Sequence, residues 1–204
     1  FYHKYSSEES FYDFISVQPY TVFFVDGNHE NFNKLNSYPM EVWNGGYVHK
    51  LRHNLIHLMR GEIYIIEGKT FFTFGGGYSI DQPFRKENVS WWPAEMPNTK
   101  EYENGLQHLS NRDHVDYIIT HTAPDETVYF LSTIKQFHIK GDVYQEMPLT
   151  TYLNDIQKNT NYTHWYFGHF HVDKELWRNQ TAVFNTLYEL ESHQIIRQWN
   201  TYEG

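Results

Sequence analysis

The sequence predicts a mixed α/β (α+β) fold in which layered β-sheets are covered by helices. Amphipathic helical segments are interspersed with apolar, β-branched runs, and a series of short strand-like segments follows near the C-terminus. In addition, 204 residues suffice for a sizeable core, and the chain shows no internal repeat, low-complexity tract or interdomain linker. We therefore expect residues 1–204 to form a single domain.

The chain opens with a predicted helix over about residues 7–17. Glu8 and Glu9 place acidic side chains in its first turn, and apolar residues follow at spacings of three and four. Pro19 ends this pattern. The next segment, 21–25, is a continuous β-branched and aromatic run, which is typical of a strand buried on both faces.

A hairpin is predicted in the middle of the chain. Residues 31–46 are rich in Asn, Pro and Gly and indicate a loop, whereas 62–66 and 70–74 are strand-like runs on either side of a turn at 67–69. The second strand runs into three glycines, 75–77. Their backbone either approaches another chain segment or a ligand closely, or forms a flexible turn after an edge strand.

The second half of the chain alternates helices and strands. The segment 81–97 is irregular and punctuated by proline and tryptophan, so it is either a functional loop or a disordered one. The other elements follow from periodicity and apolar runs. They are two helices, over 100–109 and 149–158, and four strands, over 116–120, 164–167, 175–177 and 182–184.

Composition narrows the range of functions. A formal charge of −9 and a pI near 5.8 argue against a non-specific nucleic-acid binder, whereas a small phosphorylated substrate held by metal ions stays compatible. Without cysteine, any metal must be held by oxygen and imidazole nitrogen. No apolar run reaches the ~18 residues of a membrane span and no signal-peptide pattern opens the chain, so we expect a cytoplasmic protein without a membrane partner.

Three histidine-bearing motifs carry the chemistry. They are Gly-Asn-His-Glu at 27–30, Thr-His-Thr-Ala-Pro at 120–124 and Gly-His-Phe-His at 168–171, and each follows a predicted strand. Amide oxygen and imidazole donors suit Mn²⁺, Fe or Zn²⁺. His169 and His171 lie two residues apart and could reach two neighbouring ions. A structural role is expected for the remaining histidines, which are His3, His49, His53, His57, His108, His114, His138, His164 and His193.

Such donors are compatible with phosphoester hydrolysis. Two metal ions ~3.5–4 Å apart would supply a phosphoester with charge neutralisation, a hydroxide nucleophile at neutral pH and in-line geometry. The leaving group then needs a proton. An imidazole that lies close to the ions but is not bound to both could supply this proton as a general acid.

In these motifs the chain resembles the calcineurin-like metallophosphoesterase family. Residues 27–30 match the third motif of the family, His121 with its neighbours the fourth, and 168–171 the fifth, in the order of the family. The resemblance implies a four-layer αββα sandwich with two mixed β-sheets packed face to face between helices. It also implies hydrolysis of a phosphomonoester or phosphodiester with two divalent metal ions, Mn²⁺ first, with Fe or Zn²⁺ as alternatives.

The resemblance further implies a role for each matching residue. Asn28, His121 and His169 would bind one metal ion, and His171 would bind the other. His29 would protonate the leaving group rather than bind metal. These five side chains are therefore the predicted site.

Two motifs of the family are not found in the sequence. An Asp-x-His and a Gly-Asp-x-x-Asp should precede residue 27, where they would carry most ligands of the metal that His171 serves. Residues 1–20 also lack a convincing form of the strand with which the family opens. We therefore expect this chain to be the larger part of a protein whose N-terminal strand and first metal-binding loops lie before Phe1.

Two other functions stay open. If the chain is complete, the missing carboxylates favour a catalytically inactive relative of the same fold that serves as a binding or interaction module. A nucleic-acid-binding protein would require one basic patch. Its members would be Arg52, Arg60, Arg85 and Lys86.

Substrate choice is assigned to the segment 81–97. Trp91 and Trp92 could stack on a base or an aromatic ring, but we favour a role in closing the core or an oligomer interface. Arg85 would neutralise phosphate charge or simply lie on the surface. The sequence does not choose between a nucleotide, a nucleic-acid end, a phosphoprotein and a small metabolite as substrate, and it leaves the oligomeric state open.

Overall fold

A computed structural model describes residues 5–134 and 145–199, which form four layers: helices, two β-sheets packed face to face, and helices again. The helices are α1 (Tyr5–Ser16), α2 (Phe32–Leu35), α3 (Thr99–Ser110), α4 (Asp125–Thr133) and α5 (Met147–Asn159). The strands are β1 (Val22–Phe24), β2 (Met40–Trp43), β3 (Gly46–Arg52), β4 (Leu55–Leu58), β5 (Glu62–Ile66), β6 (Lys69–Phe74), β7 (His114–Thr120), β8 (Asn161–Phe167), β9 (Lys174–Leu176), β10 (Gln180–Ala182), β11 (Thr186–Tyr188) and β12 (Ile195–Gln198). The predicted four-layer architecture is confirmed.

Both large sheets are mixed, as the resemblance implies. The first has the strand order β1-β4-β3-β2, with β1 parallel to β4 and the other pairs antiparallel. The second has the order β5-β6-β7-β8-β10-β9, and its central strands β6, β7, β8 and β10 run parallel. A separate two-stranded sheet pairs β11 with β12.

The alternation of side chains along the strands places two cores on the two faces of the second sheet. Phe71 on β6 and Tyr117 on β7 pack with Ile56 of the first sheet, whereas Phe72 and Ile118 face the layer formed by α3, α4 and α5. Successive side chains of a strand point to opposite faces, so a sheet covered on both sides needs apolar residues at consecutive positions.

The outer face of the first sheet is covered by α1 and α2. Tyr12 and Ile15 of α1 and Phe32 and Leu35 of α2 form one buried cluster with Leu55 of β4. Val22 and Phe24 of β1 pack against this cluster. It therefore helps to position the loop that carries the first histidine motif.

Elements with strong local signals agree with the sequence prediction. The predicted helices 7–17, 100–109 and 149–158 correspond to α1, α3 and α5, and the predicted hairpin corresponds to β5 and β6. At the start of α3, the Asn98 side chain accepts the backbone N–H groups of Lys100 and Glu101, and the Glu101 carboxylate accepts the N–H of Asn98. Such a capping box stabilises the first turn without tertiary contacts.

Elements that depend on pairing between distant segments differ from the prediction. The expected loop 31–46 is wrong in part, because it contains α2 and β2, and β2 pairs with β3. The predicted strand 21–25 shortens to β1 at the edge of its sheet and is half-buried, not buried on both faces. The sequence did not predict β3, β4, α4, β11 or β12, and the expected structural histidines His3 and His138 lie outside the described residues.

Candidate metal centre

Four chain segments converge where strands end. β6, β7 and β8 are parallel neighbours, and their last residues, Phe74, Thr120 and Phe167, lie side by side in register. The segments that follow them therefore leave the sheet at one edge. The segment after β1 reaches the same edge, because Gly76 donates its backbone N–H to the carbonyl oxygen of Asp26 over 2.9 Å.

Three donor atoms meet at this edge. Asn28 Oδ1 lies 3.1 Å from His121 Nε2, which in turn lies 3.1 Å from His169 Nδ1. Ligands at right angles around an ion bound at about 2.1 Å are about 3.0 Å apart, so both separations match those of neighbouring ligands of one ion. Asn28 is buried and the two imidazoles are half-buried. We call these three residues the donor cluster.

Both imidazoles of the donor cluster are neutral at neutral pH. Burial, together with the neighbouring charge of His169, lowers the pKa of His121 to about 3. Burial and the charge of His171 lower the pKa of His169 to about 4. An unprotonated imidazole is the form that binds a metal ion. The donor cluster is therefore ready to bind a cation without first releasing protons.

Two glycines allow the His121 ring to lie between backbone segments. A Cβ on Gly27 would lie 2.8 Å from this ring, and one on Gly77 would lie 3.0 Å from it. Only glycine permits so close an approach. The close-approach interpretation of 75–77 is thus confirmed, whereas the flexible turn after an edge strand is wrong, because β6 lies between β5 and β7.

The third histidine motif has an unusual backbone. His169 and His171 both adopt the left-handed conformation, with φ of +66° and +52°. For a residue with a Cβ this conformation costs about 1–2 kcal/mol, and it persists only where the surrounding structure maintains it. Such conformations occur at functional sites but also in ordinary turns, and six other non-glycine residues among the described ones share them, so the backbone is compatible with a functional role of this motif without proving it.

A buried carboxyl group that the sequence analysis missed supports the donor cluster. Glu146 Oε1 accepts the backbone N–H of Tyr78 over 3.0 Å and lies 3.4 Å from His169 Nε2. Burial raises the pKa of Glu146 to about 7, and since His169 is neutral, this contact is not an ion pair. A carboxyl group behind the second ring nitrogen commonly orients a metal-binding histidine. No motif marks Glu146, because only the fold brings it to the site.

The other two predicted site residues are more exposed than the donor cluster. His29 is exposed, but partial desolvation lowers its pKa, and the charge of Arg85 acts in the same direction. His171 is also exposed, and its ring stacks on that of Phe184 with 4.9 Å between centroids. The charges of both histidines act on His121, so both lie close to the donor cluster.

The arginines that a nucleic-acid surface would need are each engaged by carboxylates. The ion pairs join Arg52 to Glu9 and Asp13, Arg60 to Asp26 and Glu101, and Arg85 to Asp81. Their charge is thus largely neutralised within the molecule.

The segment 81–97 packs onto the molecule through one of its tryptophans. Trp92 is only 5% exposed and belongs to the cluster formed by α1 and α2, whereas Trp91 is half-buried. Two short 3₁₀ turns, Gln82–Phe84 and Pro93–Glu95, organise the rest. The core interpretation is therefore confirmed for Trp92.

The donor cluster fits part of the coordination shell of one ion. It offers two imidazole nitrogens and one amide oxygen, which suit a divalent transition metal. Within residues 5–134 and 145–199, no group of three or more His, Asp or Glu side chains is arranged to hold a metal ion. The donor cluster alone would leave the coordination shell of such an ion incomplete.

The chain matches a known protein family over most of its length. The family model described as calcineurin-like phosphoesterase covers residues 1–173, which include all three histidine motifs. No curated protein and no solved structure matches the chain. In the described part of the molecule, none of the helices has the length and apolar character that crossing a bilayer requires.

Proposed function

Because the chain belongs to the calcineurin-like phosphoesterase family, whose members are phosphoric ester hydrolases, we propose that it hydrolyses phosphoesters with the aid of divalent metal ions. The observation that carries this proposal is the convergence of Asn28 Oδ1, His121 Nε2 and His169 Nδ1 at separations of 3.1 Å. When bound, such ions supply charge neutralisation for the phosphate and a nucleophile at neutral pH.

We propose that the donor cluster holds one ion and that His171 serves a second. The donor cluster is preorganised, since the His121 ring is enclosed by Gly27 and Gly77 and the imidazoles need lose no proton. The charge of His171 acts on both His121 and His169, which supports a place for its side chain beside the donor cluster. Mn²⁺ is our first choice of metal for both positions, with Fe or Zn²⁺ as alternatives.

We assign His29 the role of general acid. It follows Asn28 directly and is exposed, so a substrate bound at the donor cluster can reach its imidazole. The lowered pKa leaves His29 neutral in the free protein at neutral pH. A phosphate dianion next to it would raise this pKa by favouring the imidazolium, which then donates its proton to the leaving oxygen. Arg85 is our candidate for a further contact to the phosphate.

We propose a small phosphorylated molecule, a nucleotide or a phosphoprotein as the substrate. The net charge of −9 speaks against non-specific nucleic-acid binding. A cytoplasmic location is likewise a proposal.

The test is hydrolysis of p-nitrophenyl phosphate and of its bis-ester by the full-length protein, stripped of metal and then reloaded with Mn²⁺. In the variant His29→Asn we expect turnover of phenyl phosphate to fall by about 10²–10⁴-fold, because its basic phenolate leaving group loses its proton donor, whereas p-nitrophenyl phosphate, whose leaving group is a weak base, should be much less affected. Metal content, measured by mass spectrometry of the elements, should stay at the wild-type level. His53→Asn, at an exposed position in the turn between β3 and β4, is the matched control. It should change neither the turnover nor the metal content.

Two results would contradict the proposal. No metal-dependent turnover of either ester would count against an enzyme. Parallel loss of metal and turnover in His29→Asn would instead show that His29 is a ligand.

One observation favours a second candidate function. Because the described residues hold no group of three His, Asp or Glu ligands, a catalytically inactive relative that binds phosphorylated ligands is the alternative. Such a protein would bind the aryl phosphate in an equilibrium titration without hydrolysing it at any metal concentration.

A further inference from the structure

We propose that Ser79 is a positioning residue that turns the oxygen of the Asn28 amide, rather than its nitrogen, toward His121. The inference rests on the proposed function, in which Asn28 is a metal ligand. It concerns a residue in the segment after β6 that none of the histidine motifs includes.

The problem that Ser79 solves lies in the chemistry of asparagine. The two ends of its amide have nearly the same shape, but only the carbonyl oxygen offers lone pairs, whereas the NH₂ group offers two donors. An Asn28 rotated by half a turn would place hydrogens where the ion should bind. A metal-binding asparagine therefore needs a neighbour that accepts a hydrogen bond from its NH₂ group.

Ser79 is such an acceptor because its own proton is already used. Its Oγ–H donates to the backbone carbonyl oxygen of Asn28 over 3.2 Å. Only lone pairs of the hydroxyl then remain for the Asn28 side chain, and Nδ2 donates to Oγ over 3.0 Å. With the amide rotated, Oδ1 would face these lone pairs and no hydrogen bond would form. Ser79 is only 1% exposed, so water cannot take over its role.

The backbone of Ser79 is held in place by a second buried carboxyl group. Glu95, which is 0% exposed, accepts the N–H of Ser79 with Oε1 over 2.8 Å. One residue earlier, the N–H of Tyr78 donates to Glu146, the carboxyl group that also contacts His169. Buried carboxyl groups thus hold the backbone N–H groups of two consecutive residues, so the Ser79 hydroxyl has a defined position relative to Asn28.

The test is a double-mutant cycle read out as Mn²⁺ affinity rather than as activity. The dissociation constant of Mn²⁺ is measured by electron paramagnetic resonance on the full-length protein for wild type, Ser79→Ala, Asn28→Asp and the double variant. We expect Ser79→Ala to weaken Mn²⁺ binding by about 10–100-fold, the usual effect of removing a group that orients a ligand. In the Asn28→Asp background both ends of the side chain are oxygens. Ser79→Ala should therefore weaken Mn²⁺ binding there by less than about threefold.

A matched control and a substitute variant accompany the cycle. Ser132→Ala removes a hydroxyl that also donates to a backbone carbonyl, on the exposed face of α4, and should leave the affinity unchanged. If Ser79→Ala does not fold, as judged by circular dichroism, Ser79→Cys replaces it with the same expectations, because a thiol is a weak acceptor of similar size.

Three outcomes would overturn the inference. An equal loss of affinity in both backgrounds would show that Ser79 merely maintains the loop. An unchanged affinity in Ser79→Ala, with Mn²⁺ bound normally by wild type, would remove Ser79 from the site while leaving the proposed function intact. A wild-type protein that binds none of Mn²⁺, Fe²⁺ and Zn²⁺ would overturn the proposed function and this inference together.

Discussion

Two buried polar clusters, one around Asp26 and the other around Asn28, differ in how the hydrogen-bonding needs of their polar atoms are met. In the first, which we call the charge-pair cluster, Asp26 receives hydrogen bonds from Arg60 Nε over 2.9 Å and Arg60 Nη2 over 2.5 Å, and lies 3.1 Å from His57 Nε2. In the donor cluster, an amide oxygen and two neutral imidazole nitrogens face one another.

The charge-pair cluster is internally complete. Burial alone would raise the pKa of the Asp26 carboxyl, but the charge of Arg60 and the hydrogen bond from His57 outweigh it and hold this pKa below its usual range. The Arg60 guanidinium also contacts Glu101 over 3.2 Å. A buried charge that is paired and hydrogen-bonded has no further need of a ligand.

The donor cluster contains no charged side chain. His121 Nε2 lies 3.1 Å from both Asn28 Oδ1 and His169 Nδ1, so one ring proton at most serves each contact, whereas a metal ion would accept a lone pair from each of the three atoms. Burial and polarity alone therefore do not identify a binding site. The informative feature is whether the buried polar atoms already carry complementary charge.

The largest expected effect comes from breaking the charge-pair cluster. Arg60→Met should lower the free energy of unfolding by about 3–5 kcal/mol, because it leaves the buried Asp26 carboxylate without its cation. Urea denaturation followed by circular dichroism measures the loss. Arg112→Met, at an exposed arginine just after α3, is the control. A loss below about 1 kcal/mol would mean that Asp26 finds another partner or is protonated.

A smaller effect, and of a different kind, is expected from breaking the donor cluster. His169→Ala should weaken Mn²⁺ binding at least about a hundredfold, or about 2.7 kcal/mol, while the metal-free protein loses less stability than in Arg60→Met. Equilibrium dialysis with Mn²⁺ measures the first quantity and urea denaturation the second. If stability falls by several kcal/mol and the affinity stays the same, the donor cluster is structural. His53→Ala serves as the control.

The smallest expected effect is a change in how stability depends on pH. Burial and the charge of His57 lower the pKa of His49 to about 4, so between pH 6.5 and pH 4 the unfolded chain binds a proton that the folded protein does not. The contribution of the neutral His49 to the free energy of unfolding is present in full above pH 6.5 and is lost as the pH falls toward 4. His49→Asn keeps a nitrogen near the position of Nδ1. Between pH 4 and pH 6.5 it should reduce the slope of the free energy of unfolding against pH by less than about 1.4 kcal/mol per pH unit. An unchanged slope in urea denaturation would show that His49 is protonated in the folded protein.

Helices and hairpins with local signals were predictable from the sequence. α3 has its capping box, α5 its apolar stripe, and β5 and β6 are joined by Glu67 and Gly68, which both have positive φ. The sequence did not predict β2 or α2, because each has only four residues and is stabilised by its neighbours rather than by its own periodicity. Local patterns therefore described the helix layers better than the first sheet.

The sequence by itself determined which donor atoms exist and that each follows a strand: an amide at Asn28 and imidazoles at His121 and His169. Only the tertiary structure decided that these three meet and that His29 and His171 lie outside the donor cluster. It also brought in Ser79 and Glu146, which no motif marks.

The physical reason is the distance along the chain over which these contacts act. Asn28 and His121 are 93 residues apart, and Asn28 and Ser79 are 51 apart. Parallel pairing of β6, β7 and β8 places their ends at one edge, and the packing of the two sheets brings Asn28 there. Periodicity and motifs report on neighbours in sequence, so they identify the donors, whereas hydrogen bonds between strands select their partners.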